Sequence, residues 1–320
     1  MATILNDPGC ATTVGNTATP SCDLVPKNII GAFLVPDTLE LTSSEVLTSA
    51  AFVTKMQTLM TAAAATRAYP LHNLAPAGDN SEVALFTTNQ VGDETFVREG
   101  KYKWTFELAD GGAGLLANIR TFNMTKKKKI LFYDSDYVVY GTKSTTLAGG
   151  MKGFKMSKFF ASHWKANDGA NPAKFTFDVT LADTKETTDQ NLAFLKLAVN
   201  PAEVIKGVID VDLLLISQTP LKANIQIVER ISRTVINGLY STELTGVACW
   251  IATKAGAEVT VVSSVYDADL DLHGVTLTGA PAGAHVISLS AAATLEAQGV
   301  GGAPGEGYES STVDVTFVPE

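Results

Sequence analysis

The sequence predicts a mainly β protein: a β-sandwich or half-barrel with a flanking helix, followed by a second, smaller β-sandwich. Three observations carry this. Stretches such as Phe175-Thr176-Phe177-Asp178-Val179-Thr180-Leu181 alternate apolar and polar residues with period two, the pattern of a half-buried strand. The clearest helical stripe lies early, just after Thr42. Charge also divides the chain: residues 208–320 hold four basic and thirteen acidic residues, whereas residues 1–207 hold twenty of each. A neutral body joined to an acidic part points to two units with different surroundings, and 320 residues suffice for about two domains. The expected division is an extended arm (1–40), a β domain with a helix (41–207) and an acidic β-sandwich (208–320).

The arm is rich in Pro, Gly, Thr and Asn, with Ile29 to Val35 as a possible strand inside it. Thr42-Ser43-Ser44-Glu45 fits a capping box, in which a hydroxyl and a carboxylate satisfy free backbone N–H groups. Val46, Ala50, Val53, Met56, Met60 and Ala63 then form one apolar stripe, extended by Ala62–Ala65 and stopped by Pro70. From Asn80 to Asp183 strands take over. Val83–Thr88 is short and extended, and Glu94–Leu108 alternates through Tyr102, Trp104, Phe106 and Leu108, with Gly100 marking a bulge or bend. Leu115, Leu116, Ile119 and Phe122 have helical spacing. Ile130–Tyr133 and Tyr137–Tyr140 flank Asp134-Ser135-Asp136 as a hairpin. Met151–Trp164 and Phe175–Leu181 follow as extended stretches, and Asn191–Ala198 is expected to be a helix. Beyond it, Val211–Ile216, Ala223–Ile231, Leu244–Ile251, Val259–Val265, Val275–Leu277, Val286–Leu289 and Val313–Val318 read as short strands between turn residues without a helix. That spacing predicts an immunoglobulin-like sandwich, though the Cys…Trp…Cys signature is missing.

Composition narrows the function. Charged residues make up 18 % of the chain, below the usual ~25 %, which suits a surface covered by neighbours and equally an ordinary soluble β protein. A net charge of −9 concentrated at the C-terminal side repels nucleic acid and anionic membranes. No apolar run approaches the ~18 residues of a membrane span, and the N-terminus lacks a signal peptide's basic start and apolar core. Three cysteines are not a disulfide framework. Cys10 and Cys22 could pair across a short loop, but free thiols of a reducing cytoplasm fit the odd count.

No chemistry-bearing constellation emerges. His72, His163, His273 and His285 lie at no metal spacing from one another, and there is no Gly-x-Ser-x-Gly elbow. Asp267-Ala268-Asp269-Leu270-Asp271-Leu272-His273 suggests calcium, but a calcium loop needs Gly and Glu where Leu272 and Thr278 stand. The alternation there predicts a strand with an acidic face. Lys126–Lys129 reads as a solvated turn or a contact to an acidic patch on a neighbour rather than a phosphate site. The glycine loop 299–307 is a connector. No catalytic, metal or cofactor site is therefore expected, and the chain is not expected to be an enzyme.

Asn80–Asp183, about a third of the chain, resembles the major tail (tail tube) proteins of long-tailed bacteriophages in its order of elements. A long hairpin, Glu82–Thr88 with Glu94–Leu108, precedes the helix Ala113–Phe122. A glycine-bearing strand, Gly149-Gly150-Met151-Lys152-Gly153-Phe154-Lys155-Met156, precedes the alternating strand Lys174–Leu181. Val97-Arg98-Glu99-Gly100-Lys101-Tyr102 is also similar to virion structural proteins of phages infecting Bacteroidetes-type hosts. The resemblance implies a small β-sandwich or half-barrel whose copies form stacked rings, making a tube that DNA traverses without specific binding. It further implies an immunoglobulin-like C-terminal domain displayed outward, other virion proteins as partners, no membrane, and assembly in the host bacterial cytoplasm into the virion. The arm and the hairpin Glu82–Leu108 are the expected contacts between rings. Two other readings stay open: a capsid or capsid-decorating protein with jelly-roll domains, and an adhesin or carbohydrate-binding module. The last needs aromatic platforms, for which the acidic part offers Trp250 and a few tyrosines.

Overall fold

Strands dominate the computed structural model of the chain, which describes residues 3–6, 27–108, 113–166, 174–187, 191–278, 283–301 and 307–317. The chain divides into two compact units. One comprises Met1–Met56 and Ala65–Val204, the other Gln57–Ala64 and Ile205–Glu320.

The first unit begins with β1 (Thr3–Asn6) and β2 (Ile29–Pro36). Ala32 through Val35 are fully buried, so this part of the expected arm is a core strand. Thr42 forms the predicted capping box: Glu45 N–H donates to its Oγ1, and the Glu45 carboxylate accepts from Thr42 N at 2.7 Å. The helix it starts, α1 (Ser43–Val46), lasts one turn. Thr48 then caps α2 (Ser49–Met60), its Oγ1 accepting from Ala51 N at 3.1 Å. The helix does not run on to Pro70 as expected. Ala63, Ala64 and Ala65 are exposed, and a short helix gains its stability from burying an apolar face, which these alanines do not do. Tyr69 and Pro70 instead lie in β3 (Tyr69–Leu71), which pairs with β2 alone, where a residue without an N–H is tolerated.

Next come β4 (Ala75–Asp79), β5 (Leu85–Thr88), β6 (Glu94–Arg98), β7 (Lys103–Leu108) and α3 (Ala113–Arg120). The hairpin of β8 (Lys128–Asp134) and β9 (Val138–Lys143) follows, then β10 (Met151–Lys152), β11 (Phe154–Ala161), β12 (Phe175–Leu181), β13 (Leu192–Lys196) and α4 (Pro201–Val204). Eleven of these strands join one sheet in the order β1-β13-β9-β8-β11-β12-β7-β4, with β10 on β9, and β2 and β3 beside β8. The sheet is a half-barrel. β8 gives one edge to β2 along its length and divides the other: Lys129 and Ile130 pair with β11, Phe132 and Tyr133 with β9. Gly31 in β2 lets the Tyr133 ring lie close against the backbone, because a Cβ there would lie 2.0 Å from Cζ of Tyr133. Inside lies an aromatic core that includes Phe106, Phe132, Phe159, Phe175 and Phe177. The alternating β12 buries every second residue.

The segment 191–198 corrects the expected helix. Its residues form β13, antiparallel to β9 and parallel to β1. Two sheet partners supply the backbone bonds that helical spacing alone would have kept local.

The second unit contains β14 (Val208–Gln218), β15 (Lys222–Glu229), β16 (Trp250–Lys254), β17 (Ala257–Val259), β18 (Val261–Asp267), β19 (Leu272–Leu277), β20 (Gly283–Leu289), α5 (Ala292–Ala297), β21 (Gly307–Ser310) and β22 (Val313–Phe317). One sheet has the order β18-β19-β15-β14-β21, the other β17-β16-β20-β22. Both contribute to a single core, with Ile225, Ile227 and Val275 from the first and Trp250, Ile287 and Val315 from the second. Three expectations change here. Leu244–Ile251 is not one strand: it makes 3-10 turns at Glu243–Thr245 and Val247–Cys249, and β16 begins only at Trp250. The Trp250 indole holds that compact path by donating Nε1–H to Leu244 O at 2.8 Å. A helix, α5, stands where none was expected. It ends at Gly299 in a left-handed conformation (φ +83°), with Gly299 N donating to Glu296 O and Val300 N to Leu295 O. Finally, 268–271 is a turn rather than a strand. Asp267 Oδ1 accepts from Asp269 N and Leu270 N, and Asp271 is left-handed at φ +48°.

Candidate assembly interface

β5 and β6 stand apart from the half-barrel as their own two-stranded sheet. Their construction is local. At the root, Asn80 N donates to Lys103 O at 2.8 Å and Glu82 N to Lys101 O at 2.9 Å. Arg98 reaches back to the Glu82 carboxylate at 2.8 Å, a bond that lowers the pKa of that carboxyl. Gly100 is required there, since a Cβ would sit 1.7 Å from Glu82 O. At the tip, Asn89 accepts from Val91 N and Asp93 N through its side chain, and Gly92 turns the chain at φ +92°. Between root and tip, Phe86 and Phe96 meet edge to face with ring centres 5.7 Å apart.

Every residue of β5 and β6 is exposed. Val83 is 89 % and Val91 86 % exposed, and Leu85, Phe86, Phe96 and Val97 are about half exposed. A two-stranded ribbon has no core of its own and is at best marginal in water. Phe86 and Phe96, paired across the strands, share one exposed face, and an exposed apolar patch is a mark of an interaction site. The half-barrel also offers open edges: among the described residues β1 and β4 terminate the sheet order. Pro76 and Gly78 blunt β4, which shifts register between Pro76 and Gly78.

Of the hairpin expected over Glu82–Leu108, β5 and β6 are exposed but β7 belongs to the half-barrel sheet, and of the arm expected over 1–40, Ile29–Pro36 are built into that sheet as β2. Residues 7–26, with Cys10 and Cys22, lie outside the described residues, as do 302–306 of the glycine loop. The lysine run is only half solvated. Lys126 and Lys127 are exposed, but Lys128 is buried in β8. Its ammonium donates to Arg67 O at 2.6 Å and lies 4.8 Å from the Tyr69 ring centre, and burial lowers its pKa. The turn reading fails at Lys128 and Lys129 because the strand begins there and alternation carries Lys128 inward.

The histidines are dispersed. His72 bonds Tyr133 Oη through Nδ1 at 2.6 Å, and His163 is exposed. His273 and His285 are fully buried in the second unit. Among the described residues no group of three or more His, Cys, Asp or Glu side chains is placed to hold a metal ion. No described helix is long and apolar enough to cross a membrane. No protein-family model matches the chain, and no curated protein matches it either.

Proposed function

We propose that the chain is a virion structural protein that oligomerises into rings and stacks them into a tail tube through which DNA passes. Its partners are then copies of itself and other virion proteins, its place is the virion, and it performs no catalysis. One observation carries this: among the described residues, a hairpin that pairs with no other strand presents exposed apolar side chains. Such a ribbon gains a buried face only from another molecule. The half-barrel edge at β1, unlike the blunted β4, suits lateral pairing, since a strand edge that meets a neighbour is no longer unpaired. Head-to-tail contacts of this kind close into rings when the rotation closes and make filaments when it also translates.

The second unit is immunoglobulin-like in this reading. In chain order β14, β15, β19 and β18 take the places of strands A, B, E and D, while β17, β16, β20 and β22 take those of C′, C, F and G. Trp250, buried at the start of β16, stands where such domains keep a tryptophan on strand C. Its surplus of acidic groups is cheapest to keep hydrated, which favours display to solvent.

Sedimentation of the purified full chain, beside a variant with Ala84–Val97 replaced by a two-residue turn, tests the proposal. The full chain should sediment as rings or longer polymers and the variant as a monomer of unchanged melting temperature. Equal behaviour of the two would remove the hairpin from the assembly.

A further inference from the structure

The aromatic core of the half-barrel is left open at one place. Ile29, Trp104, Phe132, Tyr140, Phe154 and Leu192 line a pocket of about 180 Å³. Trp104 and Phe132 meet at 89° with centres 5.2 Å apart, so the pocket presents both a ring face and ring edges. The Tyr140 hydroxyl is spent on Asp134, and Thr187 donates its own to Thr184 O at 2.8 Å. The lining thus selects an apolar group. A cavity of ~150 Å³ holds one benzene, so this one takes a single aromatic ring, which edge-to-face packing would favour.

The pocket continues outward. Tyr102 and Thr187 also line a second depression of about 410 Å³, along with Ser81, Glu82 and Glu99 at the hairpin root. The two adjoin through Tyr102 and Thr187 in one cleft, one part lined by apolar rings and the other by polar residues of the hairpin root. The same chain carries a matching knob, the half-exposed Phe86–Phe96 pair. It cannot fill its own cleft. Phe96 stands six residues before Tyr102, roughly 20 Å up the ribbon at ~3.3 Å per residue, and the root bonds of Glu82 to Lys101 and Arg98 fix the ribbon's departure.

The geometry points to this cleft as the receptor for the Phe96 ring of a neighbouring copy's Phe86–Phe96 knob. Knob and cleft are different patches, so the contact is heterologous and propagates from copy to copy instead of ending at a dimer. The inference rests on the proposed self-assembly and names the site that would carry it.

The test uses the full chain with the photoreactive residue p-benzoylphenylalanine in place of Phe96, mixed from isotopically light and heavy batches and irradiated after assembly. Links between light and heavy chains should fall on the peptides bearing Trp104 or Leu192. Thr187→Trp, which fills the mouth from a partly exposed position, should cut that yield by about tenfold with the melting temperature kept. Assembled protein whose links map elsewhere or stay within one chain, or an unchanged yield in Thr187→Trp, overturns the receptor while leaving self-assembly standing. If the unmodified chain stays monomeric, the proposed function itself fails, and the receptor with it.

Discussion

Acidification is expected to destabilise the second unit by about 3 kcal/mol through one imidazole. His273 is fully buried, with Tyr266 and Trp250 rings 5.3 and 6.0 Å away and Ser264 Oγ 3.4 Å from Nδ1. Its Nε2 has no hydrogen-bond partner. Burial pushes its pKa from 6.5 down to about 4. Above pH ~6.5 the ring is neutral in folded and unfolded chains, and the full stability is present. Below it, the unfolded chain takes up a proton that the folded chain refuses, so stability falls until the folded imidazole itself titrates near pH 4. About 2.5 units at ~1.4 kcal/mol per unit gives roughly 3 kcal/mol. Carboxylates add their own acid dependence, so the comparison is with His273→Leu, in which only this contribution is missing. Urea unfolding followed between pH 7.5 and 4 should show a steeper loss in the native chain, by about one proton's worth. A resonance assigned to His273 that titrates near 6.5 in the folded protein, or parallel curves for the two chains, would show that its burial does not hold the ring neutral.

Three further outcomes follow from the first unit. Phe177→Ala empties a fully buried ring site between Phe106 and Phe159 and should cost about 3–5 kcal/mol in denaturant unfolding. Gly31→Ala drives a methyl into the Tyr133 ring, and calorimetry should show a lower melting temperature that Tyr133→Ala in the same chain partly restores. Lys128→Met removes a buried charge-assisted hydrogen bond to the Arg67 carbonyl and should cost about 1–3 kcal/mol, which a small change in unfolding midpoint would contradict.

Much of the β architecture was legible in single stretches. β12 reads directly from its alternation because one side of it meets the core and the other does not. The capping box at Thr42 is local chemistry and needs no tertiary knowledge. What failed was what depends on partners. Residues 192–196 carry helical spacing, yet β9 and β1 flank them. β4, with Pro76 and Gly78, has no strand signature and exists through its pairing with β7. α5 was hidden in an alanine run that carries no apolar stripe, and its Gly299 stop reads equally well as the start of a loop. The extended character of β5 and β6 was legible, but not that β7, read as part of the same strand as β6, leaves them for the half-barrel sheet. The cleft was not legible: Ile29, Trp104, Phe132, Phe154 and Leu192 come from five strands, and no spacing in the chain relates them.

Electron microscopy of the purified chain at rising concentration decides whether it assembles into a tube. Closed rings of uniform diameter that stack into hollow tubes are expected, and their loss when Ala84–Val97 is replaced by a short turn. Single particles of one chain's mass at every concentration, or closed shells in place of tubes, would contradict it.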